Sequence, residues 1–157
     1  MSAENKGLVR RLVVEVWNRG NLGAVDEIFA PDYVSHGHAL DDLSVGAPAF
    51  KQRVSFVLSR FVDFEITLQD LIAEEDKVVA RWSTRATGKP ERSDVAPTDN
   101  IFEISEIGIF RVDAEKIVES WVSSGQTVDD LIHQNDKAVS STLHPLSATE
   151  LIPFPPS

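Results

Sequence analysis

Ile109-Phe110-Arg111-Val112-Asp113-Ala114-Glu115-Lys116-Ile117-Val118-Glu119-Ser120-Trp121 reads as a strand, a polar four-residue turn and a second strand. Branched and aromatic residues fill both arms, and the polar step from Asp113 to Lys116 marks the reversal. Working outward, the same period of two recurs. Phe64, Ile66 and Leu68 alternate with Glu65, Thr67 and Gln69, as expected of a half-buried strand. Residues 74–77 form a turn, and strands are expected over 78–87, 101–112 and 116–124. Between the first and second of these lies a polar loop, residues 88–100, with Gly88, Pro90 and Pro97.

Upstream of residue 64 the period is helical. Leu8, Leu12 and Val16 recur at i+4, as do Val9, Val13 and Trp17, so one broad apolar stripe faces inward. Arg10, Arg11, Glu15 and Asn18 lie opposite it. Gly20 stands where a C-terminal cap belongs, and Asn21 can cap a second helix over 22–29, stopped by Pro31. Residues 32–38 are a short strand or extended segment. A third helix reaches about Arg60, with Phe50, Val54, Val57 and Phe61 on its apolar face. Lys51, Gln52, Arg53 and Arg60 are expected to face out. A short helix is expected over 127–134. Three helices followed by a run of antiparallel strands give an α+β class with the helices on one face of the sheet.

A chain of 157 residues suits one domain and can bury about 70% of its unfolded surface. Residues 1–135 carry the periodic elements. Residues 136–157 are rich in proline, yet Leu143, Leu146, Leu151, Ile152 and Phe154 are more apolar than a disordered tail requires. Flexible tail and packed extension, on the domain or on a neighbouring subunit, are both open readings. With no cysteine, disulfides, thiolate metal sites and cysteine nucleophiles are excluded. Lys and Arg number 15 against 25 Asp and Glu, a net charge of -10. That field repels phosphate backbones and anionic lipid, so nucleic acid and membrane are not expected partners. The first residues lack the apolar run of a secretory signal, and no stretch nears the ~20 apolar residues of a membrane helix. A soluble cytoplasmic protein is expected.

An ordered set of segments resembles the SnoaL-like cyclases, a branch of the cone-shaped folds related to nuclear transport factor two. Trp17-Asn18-Arg19-Gly20-Asn21 resembles that family's first helix end. Phe29-Ala30-Pro31-Asp32-Tyr33-Val34-Ser35-His36 resembles its F-x-x-D-Y-V-x-H segment. Val79-Ala80-Arg81-Trp82 opens the second strand, Pro97-Thr98-Asp99 resembles its P-P-T-G loop, and the quoted hairpin and Asp130-Leu131-Ile132-His133-Gln134 complete the set. The resemblance implies a cone with three N-terminal helices packed on a curved antiparallel sheet. It also implies a homodimer paired through the outer sheet face, no cofactor, no metal, and a pocket for a small hydrophobic, polyketide-like substrate. Two departures stand out. Family members commonly carry a histidine nine residues ahead of the loop proline and an aspartate four residues after the hairpin tryptophan. Here those positions are Gly88 and Gly125.

The expected function is therefore cofactor-independent ring closure or isomerisation guided by shape, with an intramolecular cycloaddition as one case that moves no proton. Strand parity and the resemblance put Trp82, Thr84 and Ala86 on the cavity side. Trp82, Trp121, Phe50, Phe56 and Phe61 are candidate walls for a flat or polyene substrate. Tyr33 and Ser123 are candidate binding residues, and Thr84, Ser123 or His36 could hydrogen-bond a carbonyl. His36 is the candidate general base, its ordinary pKa lying near 6.5. Asp32 could orient it. Glu103 is the candidate acid, because a carboxyl in an apolar flask titrates high. His36 and His38 beside Asp41 and Asp42 also form a weak metal-like grouping. Acid–base catalysis by His36 and Glu103, giving a dehydratase, an isomerase or an epoxide-opening enzyme, is one rival. A non-catalytic carrier of an apolar metabolite is another, and a dimer module with a collapsed pocket is a third.

Overall fold

The computed structural model describes residues 2–36, 44–88, 101–124 and 132–133. The first helix, α1 (Ser2–Arg11), continues as a wider π-helical stretch, Leu12–Asn18. Its stripe is buried as the spacing requires, with Val9, Leu12, Val13 and Val16 at its centre. Gly20 adopts φ 69° and donates its N–H to the Val16 carbonyl at 3.0 Å, closing the helix in the left-handed conformation glycine tolerates. The second helix, α2 (Gly23–Ile28), has no side-chain cap. Asn21 offers it a backbone carbonyl to Ala24 N instead of the expected side chain. Nor does Pro31 stop it. The chain turns extended at Phe29 and carries Pro31 inside strand β1 (Phe29–His36), where pairing with the neighbouring strand shifts register.

Strand β2 (Ser44–Val45) precedes α3 (Ala47–Ser59). Gly46 between them takes φ 92°, and its N–H bonds the Tyr33 carbonyl at 2.6 Å. Four long strands follow: β3 (Phe61–Glu74), β4 (Lys77–Gly88), β5 (Ile101–Asp113) and β6 (Lys116–Ser124). The β3–β4 turn is Glu75-Asp76. The quoted hairpin turns at Ala114 and Glu115, both at positive φ, as a tight hairpin demands. Phe61 begins β3 and does not end α3. Arg60 is the C-cap, so the change of period falls three residues earlier than the alternation from Phe64 suggests.

The sheet is curved and open, in the order β2-β1-β6-β5-β4-β3. Each pair is antiparallel except β1 with β6, which is parallel. The run of antiparallel strands expected from residue 64 onward is present, and β1 adds a parallel neighbour to it. A strand that follows two helices re-enters the sheet beside the last strand and runs the same way. The helices cover the concave face. Val9, Val16, Val25, Val54, Val78, Ala80, Phe110 and Ile117 meet there in the main core. A smaller cluster of Val57, Phe61, Ala86, Ile104 and Ile132 lies under α3. The expected helix over 127–134 is described only at Ile132 and His133, both helical. The 88–100 loop beyond Gly88 and the tail 136–157 lie outside the described residues.

Candidate functional site

Between the helices and the concave face is a cavity of about 80 Å³. Its walls are aromatic: Trp17, Tyr33, Phe50, Phe64, Trp82 and Phe110. Trp17 meets Phe50 edge-on at 5.9 Å and Phe64 at 5.5 Å, so a single residue of the first helix joins α3 to β3. Phe29 packs at 4.4 Å on Phe50 and 4.5 Å on Tyr33. Trp82 lies over Gly108 of the next strand, where a Cβ would fall 2.8 Å from the indole Cη2. Glycine is needed at 108 so that the ring can lie against the sheet.

The cavity also has polar groups. Arg53, Thr84, Glu106 and Ser120 reach its lining. Tyr33, 2% exposed, shares a 2.5 Å hydrogen bond with Ser120 Oγ. Burial pushes the Tyr33 hydroxyl above its ordinary pKa; bonds with Ser120 and Ser35 and the nearby Arg53 charge oppose this more weakly. It is therefore a neutral phenol near neutrality. Thr84 is 1% exposed, and its Oγ1 has no hydrogen-bond partner among the described residues. Buried polar groups are rarely left so.

Tyr33, Phe50, Trp82 and Thr84 thus meet around one space, as sequence parity implies for the last two. Six other candidates lie elsewhere. His36, Trp121 and Ser123 lie on the opposite face of the sheet, where they border a shallow groove of about 290 Å³ with Val79, Ile107 and Ile109. Along β6 it is Ser120 and Val122 that turn inward. Glu103 is exposed, in register with Arg85; the inward glutamate of β5 is Glu106, three pairs along and opposite Trp82. Phe56 is 46% exposed on the far side of α3, under the Arg60 guanidinium 5.0 Å from its ring centre. Phe61 is buried, but in the smaller cluster and not at the cavity. Arg53, expected to face out, borders the cavity because it stands one turn from Phe50 on the edge of the apolar face. Gly88 is not part of the lining. Asp32 is exposed, and no hydrogen bond between it and His36 is seen. His38, Asp41, Asp42 and Gly125 lie outside the described residues.

On the outer face, His36 has a different partner. Its Nε2 meets Glu119 Oε2 at 2.8 Å, while Arg111 Nε donates to Glu119 Oε1 at 3.0 Å. The His36 ring stacks on Trp121 at 5.2 Å and 9°. The bonds from His36 and then Arg111 hold the Glu119 carboxyl below the usual carboxylate range.

Solved structures share this fold. AclR from Streptomyces galilaeus, described as a candidate hydroxylase, is 26% identical, with a TM-score of 0.68 over 87% of this chain and 98% of that one. IdmH from Streptomyces antibioticus, described as a candidate polyketide cyclase, is also 26% identical, with a TM-score of 0.67 over 85% and 98%. An epoxide hydrolase of M. tuberculosis, 15% identical, shares the fold at a TM-score of 0.63, covering 91% and 92%. Among curated proteins no relative matches the chain. The family model for SnoaL-like polyketide cyclases matches residues 7–127, in keeping with the cone and its aromatic hollow: this chain belongs to the SnoaL-like polyketide cyclase family.

Proposed function

We propose that this protein is a cofactor-independent cyclase or isomerase of a polyketide-like natural-product intermediate. The observation that carries the reading is the aromatic hollow inside the cone, with Trp82 packed over Gly108 in its wall. Flat, unsaturated guests gain stacking and area burial against such walls. Holding two reacting ends together can lower a barrier by several kcal/mol, on the order of 7–11 in the best intramolecular cases. The space is roughly half of the ~150 Å³ that admits benzene in an apolar interior. A substrate of several rings therefore enters only as side chains such as Trp82 swing aside, and closes against them.

Two chemistries fit this vessel. With glycine at 88 and 125, a proton-free ring closure such as a cycloaddition needs nothing further. Glu106 in the lining favours the second, proton transfer. A pH–rate profile separates them, flat for the first and sloped for the second. The outer face, with Ile107, Ile109 and Trp121 exposed, is proposed as the contact of a homodimer.

The test is mass spectrometry of small molecules retained by the freshly purified protein, followed by turnover of whatever is found. Trp82→Ala is expected to reduce turnover more than His36→Ala, because His36 lies across the sheet from the cavity. The reverse ranking, or a retained ligand that stays unchanged on long incubation, would overturn the proposal.

A further inference from the structure

Thr84 and Glu106 face the same hollow from adjacent strands. In the β4–β5 register Trp82 stands opposite Glu106 and Thr84 opposite Ile104. Thr84 and Glu106 are thus diagonal neighbours on the concave side, about 7–8 Å apart by sheet geometry, within reach of their side chains. One group is a hydroxyl, sealed from solvent and unpartnered among the described residues. The other is a carboxylate on a half-buried side chain in the same lining. Neither occupies the positions, 88 and 125, where the family's acid–base groups are expected.

We infer that Thr84 and Glu106 form a proton-transfer station for an enolisable carbonyl compound. This rests on the cyclase or isomerase reading and supplies its chemistry. The Thr84 hydroxyl donates to the carbonyl oxygen. The Glu106 carboxylate takes the proton from the adjoining carbon. The C–H pair becomes the new C=C bond, the carbonyl π pair moves onto oxygen, and the Thr84 hydrogen bond strengthens as that charge grows. The enolate then takes the proton back at another carbon, which is isomerisation. Alternatively it attacks a second carbonyl of the same molecule, and the proton passes from Glu106 to the new alkoxide, which is ring closure. No electron donor or acceptor is required. The aromatic walls restrict the guest to planar, conjugated ketones.

Acetophenone, a flat enolisable ketone, is a suitable probe. Wild-type protein in D₂O is expected to exchange the methyl protons about 10²-fold faster than buffer, followed by NMR, in line with modest general-base catalysis. Glu106→Gln should return exchange to background while acetophenone still binds saturably. Thr84→Val should slow exchange and yet raise the melting temperature, since a methyl replaces a hydroxyl with nothing to bond. A merely structural threonine would show the opposite, a lower melting temperature with exchange unchanged. Exchange unaffected by Glu106→Gln, or no saturable binding of acetophenone, would overturn the assignment. Saturable binding without exchange would remove the proton-transfer role alone, leaving the shape-guided reading to the product test above.

Discussion

At the scale of single residues, Gly108 and Trp82 decide how much room the interior has. A methyl at 108 would meet the indole at 2.8 Å, closer than a real Cβ contact. Gly108→Ala is therefore expected to push Trp82 off the sheet and into the cavity. It should cost about 1–3 kcal/mol, as overpacking does, with a changed tryptophan emission spectrum and loss of ligand retention. Urea titration and fluorescence check this. Glu119 makes a separate prediction about pH. Its carboxyl is held low by His36 and then Arg111, so its contribution to stability is present above the unfolded pKa, about 4.3, and fades as pH falls through the folded value. The difference in stability between wild type and Glu119→Gln should be at most about 1 kcal/mol at pH 6 and shrink as pH falls below about 4.3. Sequence parity found Thr84 and Trp82 because β4 alternates cleanly. It did not separate Glu103 from Glu106, because β5 carries apolar residues on both faces, Ile104 inside and Ile107 and Ile109 outside. A strand that is apolar on both sides has no phase to read. Trp121 was misleading for the same reason: a large aromatic on a strand says nothing about which side of the sheet it covers.

At the scale of elements, the strand starts of the quoted hairpin and the helical stripe of Val9, Leu12, Val13 and Val16 were legible, since local period and turn chemistry agree there. What was not legible is how the first helix is fastened. Asn18 was placed on the polar side, yet its side chain donates to the Ile66 carbonyl at 2.9 Å and accepts from the Ile66 N–H at 2.7 Å. This two-point bond fills a gap in the backbone pairing on the free edge of β3, and only the folded sheet brings residues 18 and 66 together. Asn18→Ala is expected to cost about 1–3 kcal/mol, because both backbone groups of Ile66 lose their partner. Hydrogen exchange at the Ile66 amide should rise well before the global transition. Unchanged protection would mean that Trp17, wedged between Phe50 and Phe64, holds the helix by itself. The α3–β3 junction falls earlier than the sequence period suggests for a related reason. Phe61 continues the helical spacing of Phe50, Val54 and Val57, so periodicity alone extends the helix through it, while its packing against Phe64 and Phe102 belongs to the sheet.

At the scale of the whole molecule, the sheet has two apolar faces, and only one is covered by this chain's described helices. Ile107, Ile109 and Trp121 are 48%, 37% and 36% exposed on the other, beside Val79 and His36. Stable protein contacts bury roughly 800 Å² on each partner, and a broad sheet face offers an area of that order. If two copies meet there, a charge at the centre of the patch must be desolvated without a partner. Ile109 is that centre, in register with Val79 on one side and Trp121 on the other. Ile109→Lys is expected to leave the monomer's fold within about 0.5 kcal/mol, as surface changes do, while shifting sedimentation from dimer to monomer. The concave cavity lies on the opposite side, so acetophenone should still bind to the dissociated variant. A wild-type protein that sediments as a monomer would remove the dimer from the account and leave the groove of His36 and Trp121 open to solvent. Loss of acetophenone binding in a still-folded monomer would instead tie the state of the hollow to the pairing of two sheets through the strands they share.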